Sequence, residues 1–308
     1  MSKKCQTGRE SVSAQVKKHV RALRRHVRLA KKRDPDGIHD MRVASRRLGA
    51  ALSEHAGLVG KGRLKSFQTR VGRITKALGK PRELDVALGL LEDFRPQLHG
   101  AARYALLHVR RWLRRERQSV DDHVDKAVEL VESRGFDGAL MAVFEGISGN
   151  TKCHRRHASA RLRKRYTRLC RLHEKWRADP REDLLHRIRV HFKKMRYCAE
   201  TYRPVYGEGL ERFIAQSKAG QQALGDWNDV RVLRDYVVAA TDQAPPRAAE
   251  GLPLLISFLD ERAQVLYDAA VSGLEKFFDV DSRKEAEATL RTPKAPCCNK
   301  SAKRAKAA

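Results

Sequence analysis

Apolar residues recur every three or four positions along most of the chain, and few segments alternate with a period of two. That periodicity predicts an all-α fold. The first helix is expected over residues 11–32, with Val12, Val16, Val20, Leu23 and Val27 as its apolar stripe and Arg21, Arg24 and Arg28 on an adjoining basic face. Asp34-Pro35-Asp36-Gly37 then breaks the chain before a second helix that carries His39. A third helix is expected over 64–79, and Pro81 restarts the chain into a segment over 82–94 that Arg95-Pro96 ends. A long amphipathic stretch over 101–133 and a short apolar helix over 136–147 lead to a Ser148-Gly149-Asn150 loop. The remaining helices are expected over 157–177, from His186 onward, and over 208–224, 228–241 and 254–278, with Asp179-Pro180 separating the first two. Leu78-Gly79 and Leu224-Gly225 read as helix ends closed by a glycine.

The helical plan is written twice. His39-Asp40-Met41-Arg42-Val43-Ala44-Ser45-Arg46-Arg47-Leu48 returns 147 positions later as His186-Arg187-Ile188-Arg189-Val190-His191-Phe192-Lys193-Lys194-Met195. Leu78-Gly79-Lys80-Pro81-Arg82-Glu83-Leu84-Asp85-Val86 returns at an offset of 146 as Leu224-Gly225-Asp226-Trp227-Asn228-Asp229-Val230-Arg231-Val232. Two matched segments in one order at nearly one offset mark an internal duplication. Copies of about 140 residues are too long for a solenoid and fit two packed helical bundles.

Composition says what such bundles are for. The 308 residues hold 65 Lys and Arg against 37 Asp and Glu, a formal net charge of +28, with 41% hydrophobic and only 6% aromatic residues. A core can form, but the charge repels itself on folding, and a polyanionic partner is its natural complement. No run of about 18 apolar residues exists to span a bilayer. The N-terminus lacks a secretory pattern and the six cysteines are scattered, so a reducing cytoplasm is the expected location.

The duplicated helix supplies the chemistry. At about 100° per residue, His39, Arg42 and Arg46 gather on one face, with Met41, Leu48 and Leu52 opposite. The second copy puts His186, Arg189, Lys193 and Arg196 together, with Ile188, Met195 and Ala199 opposite, and Arg47 and Lys194 flank the two faces. Cations three or four residues apart stand about 5–6 Å from one another, a spacing that can meet successive phosphates of a linear chain. Arginine offers a forked donor and lysine a compact charge. A histidine beside an anion gains proton affinity and becomes a further donor. Other stripes could extend the cradle: Arg21, Arg24 and Arg28; Arg70, Arg73, Lys76, Lys80 and Arg82; and Arg161, Lys164, Arg165 and Arg168. Asp85 and Asp229 are expected to orient basic side chains rather than to act as acid and base.

At these residues the chain resembles the CHAD family, the conserved histidine α-helical domain. The resemblance rests on His39-x-x-Arg42-Val43-x-x-Arg46-Arg47-Leu48, on Leu78-Gly79-x-x-Arg82-Glu83-Leu84-Asp85-Val86 and on their second-half counterparts, and spans about residues 10–280. It implies two four-helix bundles related by pseudo-twofold symmetry around a basic central channel. It also implies binding of inorganic polyphosphate and recruitment to polyphosphate granules, with His39, Arg42, Arg46 and Arg47 lining the channel from one half and His186, Arg189, Lys193 and Lys194 from the other. The alternating Glu-x-Glu-x-Lys signature of the triphosphatase domain that accompanies many relatives is absent, so a stand-alone binding module without catalysis or cofactor is expected. The chain departs from symmetry where Arg70, Arg73 and Lys76 correspond to Gln216, Ala219 and Gln222.

On this reading, residues 1–9 form a disordered N-terminus and 10–280 the helical domain, with repeats over about 10–148 and 155–280. Residues 281–308 are a helix end and a disordered basic tail. The alternative is a non-specific nucleic-acid binder, which the charge permits but no zinc-finger spacing, basic zipper or aromatic platform supports. Cys153-His154-x-x-His157, in an expected loop, is the one metal-like cluster in the sequence, and an adventitious one.

Overall fold

The computed structural model describes residues 8–60, 62–145 and 151–291. Most of the N-terminal segment, the Ser148-Gly149-Asn150 loop, and the basic tail from residue 292 with its Cys297-Cys298 pair lie outside the described residues. Among the described residues the chain is all-α. The helices are α1 Gly8–Arg25, α2 Val27–Lys31, α3 Pro35–Val59, α4 Lys65–Ala77, α5 Gly79–Phe94, α6 Gly100–Ser119, α7 Asp121–Glu132 and α8 Phe136–Glu145. The second half contributes α9 Thr151–Ala178, α10 Glu182–Tyr206, α11 Glu211–Ala239, the short α12 Pro246–Ala249, α13 Leu252–Phe277 and α14 Val280–Thr289.

Several expected boundaries move, some for visible reasons. The helix over 11–32 is interrupted at His26, and the stretch over 101–133 breaks at Val120, where the Ser119 hydroxyl turns back to the Glu116 carbonyl at 2.8 Å. Neither expected glycine cap exists. Gly79 opens α5 instead of closing α4, and Gly225 lies inside α11, which merges the helices expected over 208–224 and 228–241. Pro81 explains the difference: it has no N–H for the carbonyl of Ala77, where α4 ends, whereas Trp227 at the matched position keeps its N–H. The Cys153-x-x-x-His157 segment lies in α9 and not in a loop. The packed chain also extends past residue 280, because Ala286 and Leu290 are buried against α9 and α10, and Ser159 donates to the Leu290 carbonyl at 2.9 Å.

The core is built from both halves. One apolar cluster joins α1–α4, α7 and α8, and two adjoining clusters fill the second half. A further cluster is shared, with Leu84, Leu91, Leu106 and Val109 of α5 and α6 against Val230, Leu233, Leu255 and Leu259 of α11 and α13. Helices α3 and α10 also pack on each other. Glu54 of α3, 1% exposed, locks that junction: its carboxylate accepts from Arg161 Nε at 2.8 Å and from Arg165 Nε at 2.9 Å, both on α9. Its carbonyl accepts from His157 Nε2 at 3.0 Å and the Tyr202 hydroxyl at 3.2 Å. Losing one arginine leaves the buried carboxylate paired with the other, whereas losing both strands it at a cost of about 3–5 kcal/mol.

Helix α3 starts at a well-defined point. Asp34 caps it by accepting from the Gly37 N–H at 2.6 Å, and Pro35 takes the first helical position. Gly37 is there because α2 passes so close that an added Cβ would stand 2.4 Å from Leu29 Cβ and 2.8 Å from the Leu29 carbonyl carbon. Gly37→Ala should therefore destabilise the protein by about 1–3 kcal/mol. Gly89→Ala, with nothing near its Cβ, should be neutral or stabilising by up to about 1 kcal/mol. Thermal unfolding of the two variants distinguishes the positions, and equal behaviour would refute the packing account.

Candidate functional site

The two histidines sit at the same register, each the fifth residue of a 25-residue helix, His39 in α3 and His186 in α10. Because α3 and α10 pack together, their polar faces line one cavity of about 470 Å³. Its walls carry His39, Arg42 and Arg46 from α3, Arg82 and Glu83 from α5, His186, Arg189 and Lys193 from α10, and Gln221, Gln222, Asn228 and Asp229 from α11. Five cations thus meet two carboxylates. Ile188, Met41, Met195, Leu48, Leu52 and Ala199, opposite these faces, are buried in the core as expected.

The two acids are already engaged. Asp229 lies 3.4 Å from Arg189 Nη2, and Glu83 accepts from Lys80 Nζ at 3.2 Å and from the Tyr236 hydroxyl. Asp85 accepts from Arg117 Nε at 2.7 Å, also the orienting role expected of it. Arg42, Arg46, Arg82 and Lys193 make no salt bridge among the described residues. The buried Nε atoms of Arg42 and Arg189 have no hydrogen-bond partner there.

A family model for the CHAD domain matches residues 14–238, well over half of the chain. The chain belongs to the CHAD domain family. It is similar in fold to the crystal structure of the CHAD domain from the plant Ricinus communis, at 20% identity and a TM-score of 0.60, covering 94% of this chain and 93% of that one. It is likewise similar to PptA from Streptomyces chartreusis, at 14% identity and a TM-score of 0.58, covering 88% of this chain and all of that one. No curated protein matches.

Within this CHAD domain the predicted basic residues part company. Arg47 is exposed and reaches Glu200 at 3.1 Å, and Arg196 reaches the same carboxylate at 3.4 Å while lying over the Tyr197 ring. Arg47 ties α3 to α10, Arg196 is held within α10, and neither lines the cavity. Arg165, with Arg161, is occupied by Glu54. Lys194 is exposed; Arg168 lines a separate basic surface with Lys164, Arg171, Lys175 and Arg187. Arg21, Arg24 and Arg28 are exposed on α1 and α2, with Arg24 paired to Asp137 at 2.6 Å. Arg70, Arg73, Lys76 and Lys80 line a groove between α4 and α7 that also holds Lys65, His123 and Lys126. Sequence reasoning missed the amides of Gln221, Gln222 and Asn228, because a neutral donor in a polar stretch gives no charge signal.

Crowding shows in the protonation equilibria. Burial, and then Arg189, Arg46 and Arg42, push the Lys193 ammonium down from 10.5 to about 7, with Asp229 opposing them. Burial and Arg46 lower Arg42 to about 10, and burial also lowers Arg189. His39 is lowered by burial and by Arg82. Its expected gain in proton affinity therefore requires an anion; the cavity by itself does the opposite.

Lys193 binds fewer protons folded than unfolded between about pH 7 and 10.5, so this group costs stability as pH falls through that window, most fully below 7. Lys193→Met should accordingly raise the melting temperature of the ligand-free protein at pH 6, with a gain that shrinks as pH rises toward 10. A gain independent of pH would assign the effect to packing.

Proposed function

We propose that this CHAD domain binds linear inorganic polyphosphate in the cavity between α3 and α10, without turning it over, and that such binding recruits it to polyphosphate granules. The observation that carries the reading is the convergence of Arg42, Arg46, Arg82, Arg189 and Lys193 on one half-buried space with its two acids engaged. Pairs such as Arg42 with Arg46, and Arg189 with Lys193, repeat at one helical turn on facing helices, matching a chain of phosphates better than a compact anion. Both carboxylates are held by neighbouring donors, an arrangement that favours binding over catalysis.

Calorimetric titration with polyphosphate of defined length should give tight binding that weakens steeply with salt. Arg42→Ala and Arg189→Ala should each lower affinity about 10–100-fold, as loss of a charge-assisted contact implies. Duplex DNA at equal phosphate concentration should compete poorly. Stronger binding to DNA, or unchanged affinity in both variants, would replace this reading with non-specific nucleic-acid binding to the exposed basic surfaces.

A further inference from the structure

The cavity shares its lining with basic surface on the first-half side. Arg42, Arg46 and Gly79 belong both to its wall and to a shallow groove between α3 and α4. Lys76 belongs both to that groove and to the larger depression between α4 and α7. Next in the chain to Gly79 at the cavity wall, Lys80 lines that depression. Three concavities are thus joined through shared residues into one path from the cavity across α4.

The path is cationic along its length. Lys65, Arg73 and Lys76 are exposed and make no salt bridge among the described residues, and Lys65 to Lys76 spans about 16 Å of helix. Arg70 is held in place by the Leu130 carbonyl at 2.8 Å and by the Phe136 ring. The opposite wall adds His123 and Lys126, against one acid, Glu129. At the offset of 146, Lys65, Arg70, Arg73, Lys76 and Lys80 correspond to Glu211, Gln216, Ala219, Gln222 and Asp226. The corresponding positions of the second half therefore carry no cation and two acids. Structural need does not explain this difference, because the first-half side chains at Lys65, Arg73 and Lys76 are exposed and unpaired.

We infer that a polyphosphate chain longer than the cavity leaves it on the first-half side and continues along the α4–α7 groove, so that the domain holds long chains in one direction and favours them over short ones. This rests on the polyphosphate reading of the cavity and adds an exit track to it. The cavity cations set affinity for a short oligomer, and the groove cations add affinity only when the chain is long enough to reach them.

The test compares tripolyphosphate with long-chain polyphosphate on the full chain, using Lys65→Ala/Arg73→Ala/Lys76→Ala. The control is Arg171→Ala/Lys175→Ala, on the separate α9 surface. The track variant should bind tripolyphosphate as wild type does and lose about tenfold or more for the long chain, with the salt slope falling by roughly 2 for three lost contacts. The control should lose much less. Unchanged long-chain affinity, an equal loss in the control, or an equal loss for both ligand lengths would overturn the track and leave the cavity standing. Failure of the wild type to bind tripolyphosphate or long-chain polyphosphate would instead overturn the cavity reading, and the track with it.

Discussion

Mutual repulsion among Arg42, Arg46, Arg189 and Lys193 is the constraint on which the rest of this structure turns. Four cations from two helices share a half-buried space with no carboxylate spare to neutralise them. Burial itself disfavours each charged form and the neighbouring cations add to it, so Lys193 yields first. A fold selected for stability alone would place acids or apolar residues there. The site is held in tension that a bound anion would relieve.

What holds it is the construction of the interior across the duplication. Glu54 fastens α3 to α9, and its backbone carbonyl takes Tyr202 of α10. Glu200 fastens α10 to Arg47 of α3, and Gln15 of α1 donates to the Thr201 carbonyl of α10 at 2.8 Å. The shared apolar cluster beneath α5, α6, α11 and α13 fixes Arg82 and Asp229 relative to them. Several basic residues that look like ligand contacts in the sequence are consumed in this work. The charge excess of the chain and the charge of the cavity are therefore different quantities.

Fold class and the central residues were legible in the sequence because they follow periodicities. Apolar spacing marks the helices, and the recurrence of His39-x-x-Arg42 as His186-x-x-Arg189 marks the faces that meet. Helix ends were less legible. Glycine at Gly79 and Gly225 suggested caps, but a missing N–H at Pro81 decides where the backbone ladder breaks, and glycine is tolerated within α11. The fates of Arg47 and Arg165 were illegible, since Glu200 and Glu54 lie far from them in sequence and meet them only through packing, whereas Arg196 meets Glu200 one helical turn away. How the empty cavity treats His39 was illegible for a related reason: burial, and then Arg82 on another helix, lower it.

On this reading the cavity is under-protonated when empty and is recharged by its ligand. The direct measurement is proton uptake on binding, from calorimetric titration with polyphosphate at pH 8 in two buffers of different ionisation enthalpy. Lys193, facing Arg42 and Arg46 of α3, Arg189 of its own helix and Asp229 of α11, is largely neutral there in the free protein. Net uptake approaching one proton per site is expected, abolished in Lys193→Met while binding persists at reduced affinity. Binding with no proton exchange in the wild type would contradict it.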